Sequence, residues 1–211
     1  MVTTQVNPLS MDQLHRHYLA LEYCQSQIDG RNGSTACTVI AVSVAVAVLQ
    51  NCLPVPCNDL SVLSQCGKGF IECMRQGNRL YDKSPAALGG HLLGVFDALH
   101  LVPTQVRVVK ELGLRDSSDC VKHLPTFADD AARNGMMRVG VLVQTPWSVC
   151  VVVLCDGTDA MFDSHSHGEK GALILSSHAS ARPSWTAVAA AFASFVGQLR
   201  DVHLGLLDLI Q

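Results

Sequence analysis

Hydrophobic and polar positions change rhythm about halfway along the chain. In the first half, apolar residues come in blocks. Ala36 to Leu49 is apolar at every position but Thr38 and Ser43. Val42, Val44, Val46 and Val48 alternate with small residues, a period of two that suits a strand. Yet the run outlasts an ordinary strand, is apolar on all sides and carries alanines that support a helix. Ser34 or Thr35 stands in place to cap it. We read Ser34–Gln50 as a fully buried central helix. Before it, Ser10 caps a helix expected over Met11–Cys24, followed by a polar, glycine-bearing loop from Gln25 to Gly33. Further helices are expected at Asp59–Cys66, Phe70–Asn78 and Ala87–His100, and a strand at Val106–Lys110. Ser118–Asn134 reads as helical in part, interrupted by Pro125.

The second half reads as a meander. Strands are expected at Arg138–Gln144, Ser148–Cys155, Asp159–Phe162 and Ala172–Leu175, with Asp156–Gly157 as a hairpin turn. An alanine-rich helix at Trp185–Leu199 and a last strand at Val202–Ile210 complete the chain. Helices first and an antiparallel meander second make an α+β fold. With no internal repeat and no low-complexity linker, a single domain spanning residues 1–211 is the simplest organisation, its core at about 24–200.

The chain of 211 residues is 48% hydrophobic and 16% charged, which excludes a disordered protein. A net charge of −3 gives no electrostatic reason to expect nucleic acid or an anionic membrane as partner. The longest apolar run is too short for a bilayer, which needs about 20 residues. No basic or apolar leader opens the sequence, so no signal peptide is expected.

The nine cysteines form no CxxC pair, and their odd number argues against a disulfide scaffold or zinc ribbon. Most read as small buried hydrophobes in a reducing, cytoplasmic compartment. For a protein of viral or intracellular-bacterial origin, that compartment would be the host cytoplasm. Cys37 differs in context. At the first turn of a buried helix, unsatisfied N–H groups and the helix dipole favour an anion, and a thiolate is the working nucleophile. The small residues before it leave room for a substrate backbone.

A second cluster closes the constellation. Asp163 and His165 are two residues apart, so on an extended segment both point to one face. His165 is the expected general base for Cys37, with Asp163 holding its ring. His167 is an alternative base, but it lies four residues from Asp163. Read as metal ligands, His165 and His167 lack a second cluster of suitable spacing, so neither metal nor cofactor is expected. An acyl-transfer site also needs oxyanion donors. The Cys37 N–H is one, and the side-chain amide of Gln25 or Gln27 is the other.

These residues resemble a family. Gly33–Ser34–Thr35–Ala36–Cys37 is similar to the Gly-Ser-x-Cys nucleophile turn of the cysteine deubiquitinases in herpesvirus large tegument proteins and of their relatives outside viruses, with one extra residue. The run from Gly157 to His165 resembles their Gly-x4-Phe-Asp-Pro-His segment, with Ser164 in place of the usual proline. Ala172–Leu175 is similar to the strand that follows, and Trp185–Val196 to their closing helix. The resemblance implies a papain-like cysteine protease fold, with the cysteine-bearing helix packed on the C-terminal sheet. It makes Asp163 and His165 the catalytic pair. The family's oxyanion glutamine lies about a dozen residues before the cysteine, a spacing that Gln25 fits better than Gln27.

The implied activity is thiol-dependent cleavage after the C-terminal glycine of ubiquitin, with ubiquitin or polyubiquitin chains as partner and a ubiquitin-like modifier as a further candidate. The rival readings are another papain-like peptidase or amidase, and a non-catalytic ubiquitin-binding module. Two C-terminal glycines call for a narrow channel, with the Gly30–Gly33 loop and Trp147 as candidate walls. Arginines in the ubiquitin tail call for acids, and Asp29, Asp59 and Glu72 are candidates by sign.

Overall fold

A computed structural model describes residues 14–56, 60–116, 133–155, 158–177 and 200–209. Its centre is α1 (Cys37–Leu49), whose residues are buried almost all the way round. That explains the two-sided apolar run, because a helix with no solvent face needs no polar stripe. The helix packs against α2 (Leu60–Asp82) and α4 (Val95–Leu101) and, elsewhere on its surface, against β3 (Arg138–Gln144), β4 (Trp147–Val153) and β5 (Asp159–Asp163). Phe70 of α2 meets Phe162 of β5 edge to face, with ring centroids 5.3 Å apart. Gly77 permits the close approach of the two long helices: a Cβ there would stand 2.5 Å from Ile40 Cγ1 and 2.9 Å from Ile40 Cα.

The sheet has seven strands in the order β1-β6-β5-β4-β3-β7-β2, and every pairing is antiparallel. The remaining strands are β1 (Leu14–Tyr18), β2 (Val106–Asp116), β6 (Leu173–Ser177) and β7 (Arg200–Leu209). Strands β3 to β6 are consecutive neighbours, the meander expected from the sequence. All residues of β5 and β6 are buried, which is why their polar–apolar alternation is weak. The α+β class and the placing of the cysteine helix on the sheet are as expected.

Several expectations are corrected. Met11–Cys24 is not a helix where it is described: Leu14–Tyr18 is strand β1, paired with Leu173–Ser177, and turns follow. A partner far along the chain decides this conformation, overriding the local pattern. The two helices expected between Asp59 and Asn78 are one, α2. Ala87–His100 is broken into α3 (Pro85–Gly89) and α4, because Gly90 at φ +62° ends α3 in the left-handed region. Val106–Lys110 is the start of a longer strand. Most of Ser118–Asn134, the Asp156–Gly157 turn, Trp185–Leu199 and Asp59 lie outside the described residues. Among the described residues no helix is long and apolar enough to cross a membrane.

Candidate active site

The N-terminus of α1 meets two loops at one end of the sheet. Cys37 is the first residue of the helix. Neither Ser34 nor Thr35 is the N-cap: Ala36 holds that position, with no side-chain cap. The Ser34 Oγ instead accepts the Ala36 N–H at 3.1 Å and donates to Asn78 Oδ1 at 2.7 Å. The Thr35 hydroxyl donates to the Tyr81 hydroxyl at 2.7 Å, and Tyr81 donates to the His91 carbonyl at 2.7 Å. Both residues thus fasten the turn before Cys37 to the helical layer rather than capping the helix itself.

The β3–β4 hairpin covers the cysteine from the sheet side. The Cys37 thiol donates to the Pro146 carbonyl at 3.2 Å. One residue on, the Thr38 and Ser148 hydroxyls share a buried hydrogen bond of 2.8 Å. Trp147 lies against the His165 ring, with centroids 4.3 Å apart, so the indole shields the imidazole and limits its tilt.

Asp163 ends β5 and is buried. Its Oδ1 accepts both the His165 backbone N–H, at 3.0 Å, and His165 Nδ1, at 2.6 Å. The two residues therefore meet through a local turn in which an aspartate gathers the backbone two residues on. His165 lies beyond the end of β5, so the two side chains meet through this turn and not along an extended segment. With Nδ1 held, Nε2 is the ring nitrogen left for the Cys37 thiol, which neighbours His165 closely enough to raise its pKa. His167 is also brought in: its Nε2 is 3.3 Å from Asp163 Oδ2. The carboxylate stands between the two imidazoles, and His165 is the one that neighbours the thiol in its electrostatics.

Electrostatics follow from this packing. Burial alone would push the Asp163 carboxyl up, but the hydrogen bonds from His165 and the nearby His167 ring outweigh it and hold the pKa at about 2. Burial would lower His165, but the Asp163 carboxylate, and then Cys37, raise it to about 9. The site thus favours an imidazolium–carboxylate pair beside the sulfur. Other thiols face the opposite conditions. Burial pushes Cys66 and Cys73 up to about 12 and Cys150 well above its ordinary value.

The two glutamines separate cleanly. Gln27 is exposed, whereas Gln25 is buried. The Gln25 backbone N–H donates to the Ser164 carbonyl at 2.8 Å, and its side chain lies between Ser164 and Ser34. The site therefore gathers Cys37, His165, Asp163 and Gln25, and leaves Gln27 outside.

Next to Cys37 runs a cleft of about 330 Å³, lined by its chain neighbour Thr38, by Pro146 and Ser148, and by Leu92, Glu111 and His203. Asp29 and Glu72, the acids expected to meet a basic tail, are engaged by the chain's own arginines: Arg75 binds Asp29 at 3.0 Å and Arg79 binds Glu72 at 2.9 Å. Glu111 is the acid in the cleft. Sequence reasoning missed it because nothing local ties β2 to α1. Among the described residues no group of three or more His, Cys, Asp or Glu side chains is arranged to hold a metal ion.

A cysteine at the N-terminus of a central helix, packed on an antiparallel sheet that carries an aspartate and a histidine, has the fold of the papain-like cysteine proteases. The chain matches the ubiquitin-specific protease encoded by a murine cytomegalovirus tegument protein, solved in complex with a ubiquitin-based suicide substrate. The TM-score is 0.57 and the sequence identity 13%, over 90% of this chain and 85% of that one. It also matches the Pseudomonas avirulence protein AvrPphB at a TM-score of 0.47 and 14% identity, over 82% of this chain and 92% of the other. No family model and no curated protein sequence matches.

Proposed function

We propose that this protein is a thiol-dependent isopeptidase that cleaves after the C-terminal glycine of ubiquitin. The observation that carries the reading is the cluster at the head of α1: the Cys37 thiol neighbours His165, whose Nδ1 is held by Asp163 at 2.6 Å. The fold it shares with a viral ubiquitin-specific protease supports the substrate class.

In the proposed reaction, His165 takes the proton of the Cys37 thiol. The sulfur then forms a bond to the glycine carbonyl carbon, and the C=O electron pair moves onto oxygen. The Cys37 N–H and the Gln25 amide stabilise that oxyanion. Collapse breaks the C–N bond, and the imidazolium gives its proton to the departing amine. Water, deprotonated by His165, opens the thioester and returns the thiol. Asp163 keeps the ring oriented and offsets its charge without taking the proton. The cleft beside Thr38 suits the apolar and basic residues before the two glycines, with Glu111 as a partner for a guanidinium. No cofactor takes part.

The test is covalent capture by ubiquitin bearing a C-terminal thiol-reactive group, with the adduct mapped by mass spectrometry and Cys37→Ala run in parallel. An adduct on Cys37 alone is expected. A folded protein that gives none, but is captured by a ubiquitin-like probe or by a small peptide probe, would move the assignment to another papain-like hydrolase. Tight ubiquitin binding with no adduct would favour a non-catalytic module.

A further inference from the structure

A glutamine side chain carries an acceptor and a donor at its tip, and only the donor can serve an oxyanion. Gln25 Oε1 accepts the Ser164 Oγ–H at 2.7 Å, between residues that are 3% and 2% exposed. Its Nε2 donates to the Ser34 carbonyl at 3.4 Å. Turning the amide round would set its oxygen against that carbonyl, acceptor to acceptor, so the two contacts together fix the orientation. The grip is double, because the Gln25 backbone N–H also donates to the Ser164 carbonyl. From below, Asn78 Nδ2 donates to the Gln25 carbonyl at 3.0 Å while Asn78 Oδ1 accepts from Ser34. The chain of bonds ends at Ala36, next to the nucleophile.

We infer that Ser164 is a positioning residue for Gln25: its hydroxyl occupies the amide oxygen and thereby presents the NH2 group to the substrate's carbonyl oxygen at Cys37. The bond to Ser34 is long, so an oxyanion displaces that partner at little loss. Ser164 stands between Asp163 and His165, so one loop sets both the base and the second oxyanion donor. The inference rests on the proposed role of Gln25 in cleavage of ubiquitin conjugates.

The test measures kcat and KM on ubiquitin with a C-terminal fluorogenic amide, for wild type, Ser164→Ala, Gln25→Ala and the double variant. Ser176→Ala, which removes a buried hydroxyl elsewhere in the sheet, is the control and should keep the wild-type rate. Gln25→Ala should lose roughly 100- to 1,000-fold in kcat. Ser164→Ala should lose about 10- to 100-fold, the range in which supporting groups around a reactive centre act, with KM unchanged. The double variant should be no slower than Gln25→Ala, because the hydroxyl acts only through the amide. Should Ser164→Ala fail to fold, Ser164→Cys, with its weaker donor, takes its place and should show a smaller loss of the same kind.

A wild-type kcat in the Ser164 variant, or losses that multiply in the double variant, would overturn the inference while leaving Gln25 in the site. A wild-type rate in Gln25→Ala, or no turnover by the wild type itself, would overturn the underlying reading and the inference with it. The Gln25 side-chain amide signals give a readout independent of turnover: they should loosen in Ser164→Ala, and unchanged signals count against the inference.

Discussion

At the residue scale, the proposed chemistry depends on one carboxylate. Asp163 Oδ1 holds both the ring and the backbone of His165, so Asp163→Asn would present an amide where an anion is needed and favour the wrong tautomer of the ring. Turnover should fall by an amount on the order of 10,000-fold, while ubiquitin binding measured by calorimetry stays within a small factor of wild type. Near-wild-type turnover would remove Asp163 from the relay. The same pair links stability to pH. The raised His165 pKa stabilises the fold fully below about 6.5 and progressively less as pH rises towards 9. The lowered Asp163 pKa contributes above 3.8 and is lost as pH falls towards 2. The difference in melting temperature between wild type and Asp163→Asn should therefore be largest from about pH 4 to 6.5 and shrink towards pH 9. A difference that grows with pH would contradict the assigned charges.

At the element scale, the packing of α1 on α2 sets where Cys37 stands. Ile40, one turn into α1, faces Gly77. Alanine at position 77 would gain up to about 1 kcal/mol in helix propensity. Its Cβ, however, would meet the Ile40 backbone, which cannot rotate away, and overpacking of that kind costs about 1–3 kcal/mol. Gly77→Ala should lower the melting temperature and slow turnover together, and a stabilised, fully active variant would show that the helices separate freely.

The elements also show what local pattern reveals. Arg138–Gln144 was legible to the residue, because an apolar run between turn residues has few alternatives. The α1 helix was legible from its length and alanine content. Strand β1 was not, because what makes Leu14–Tyr18 extended is β6, far along the chain. In the site, Cys37, Asp163 and His165 could be picked out by residue type and spacing. Ser164, Asn78 and Glu111 could not, since their roles exist only through partners brought near by the fold.

At the scale of the whole molecule, the thiols sort themselves by position. Cys66, Cys73 and Cys150 are held protonated by burial, so alkylation of the native protein near neutral pH should spare them. Modification of Cys37 should track loss of activity. A chelator should leave turnover intact, since the relay is built from sulfur, imidazole and carboxylate. Loss of activity on chelation, restored by a metal ion, would revive His165 and His167 as ligands.

The order of the groups along the chain has a consequence for synthesis. Gln25 and Ser164, bonded in the finished site, are 139 residues apart. Cys37 is 109 residues from Pro146, whose carbonyl it touches. Cys37, the proposed nucleophile, is thus made early and His165, its proposed base, late, and contacts of such separation close slowly. A nascent chain carries Cys37 through most of its translation before His165 is added. A fragment cut anywhere between α1 and β5 lacks one half of the relay. Under the proposed function, activity would arrive only with the completed sheet, and a half-made copy would be harmless to the conjugates around it.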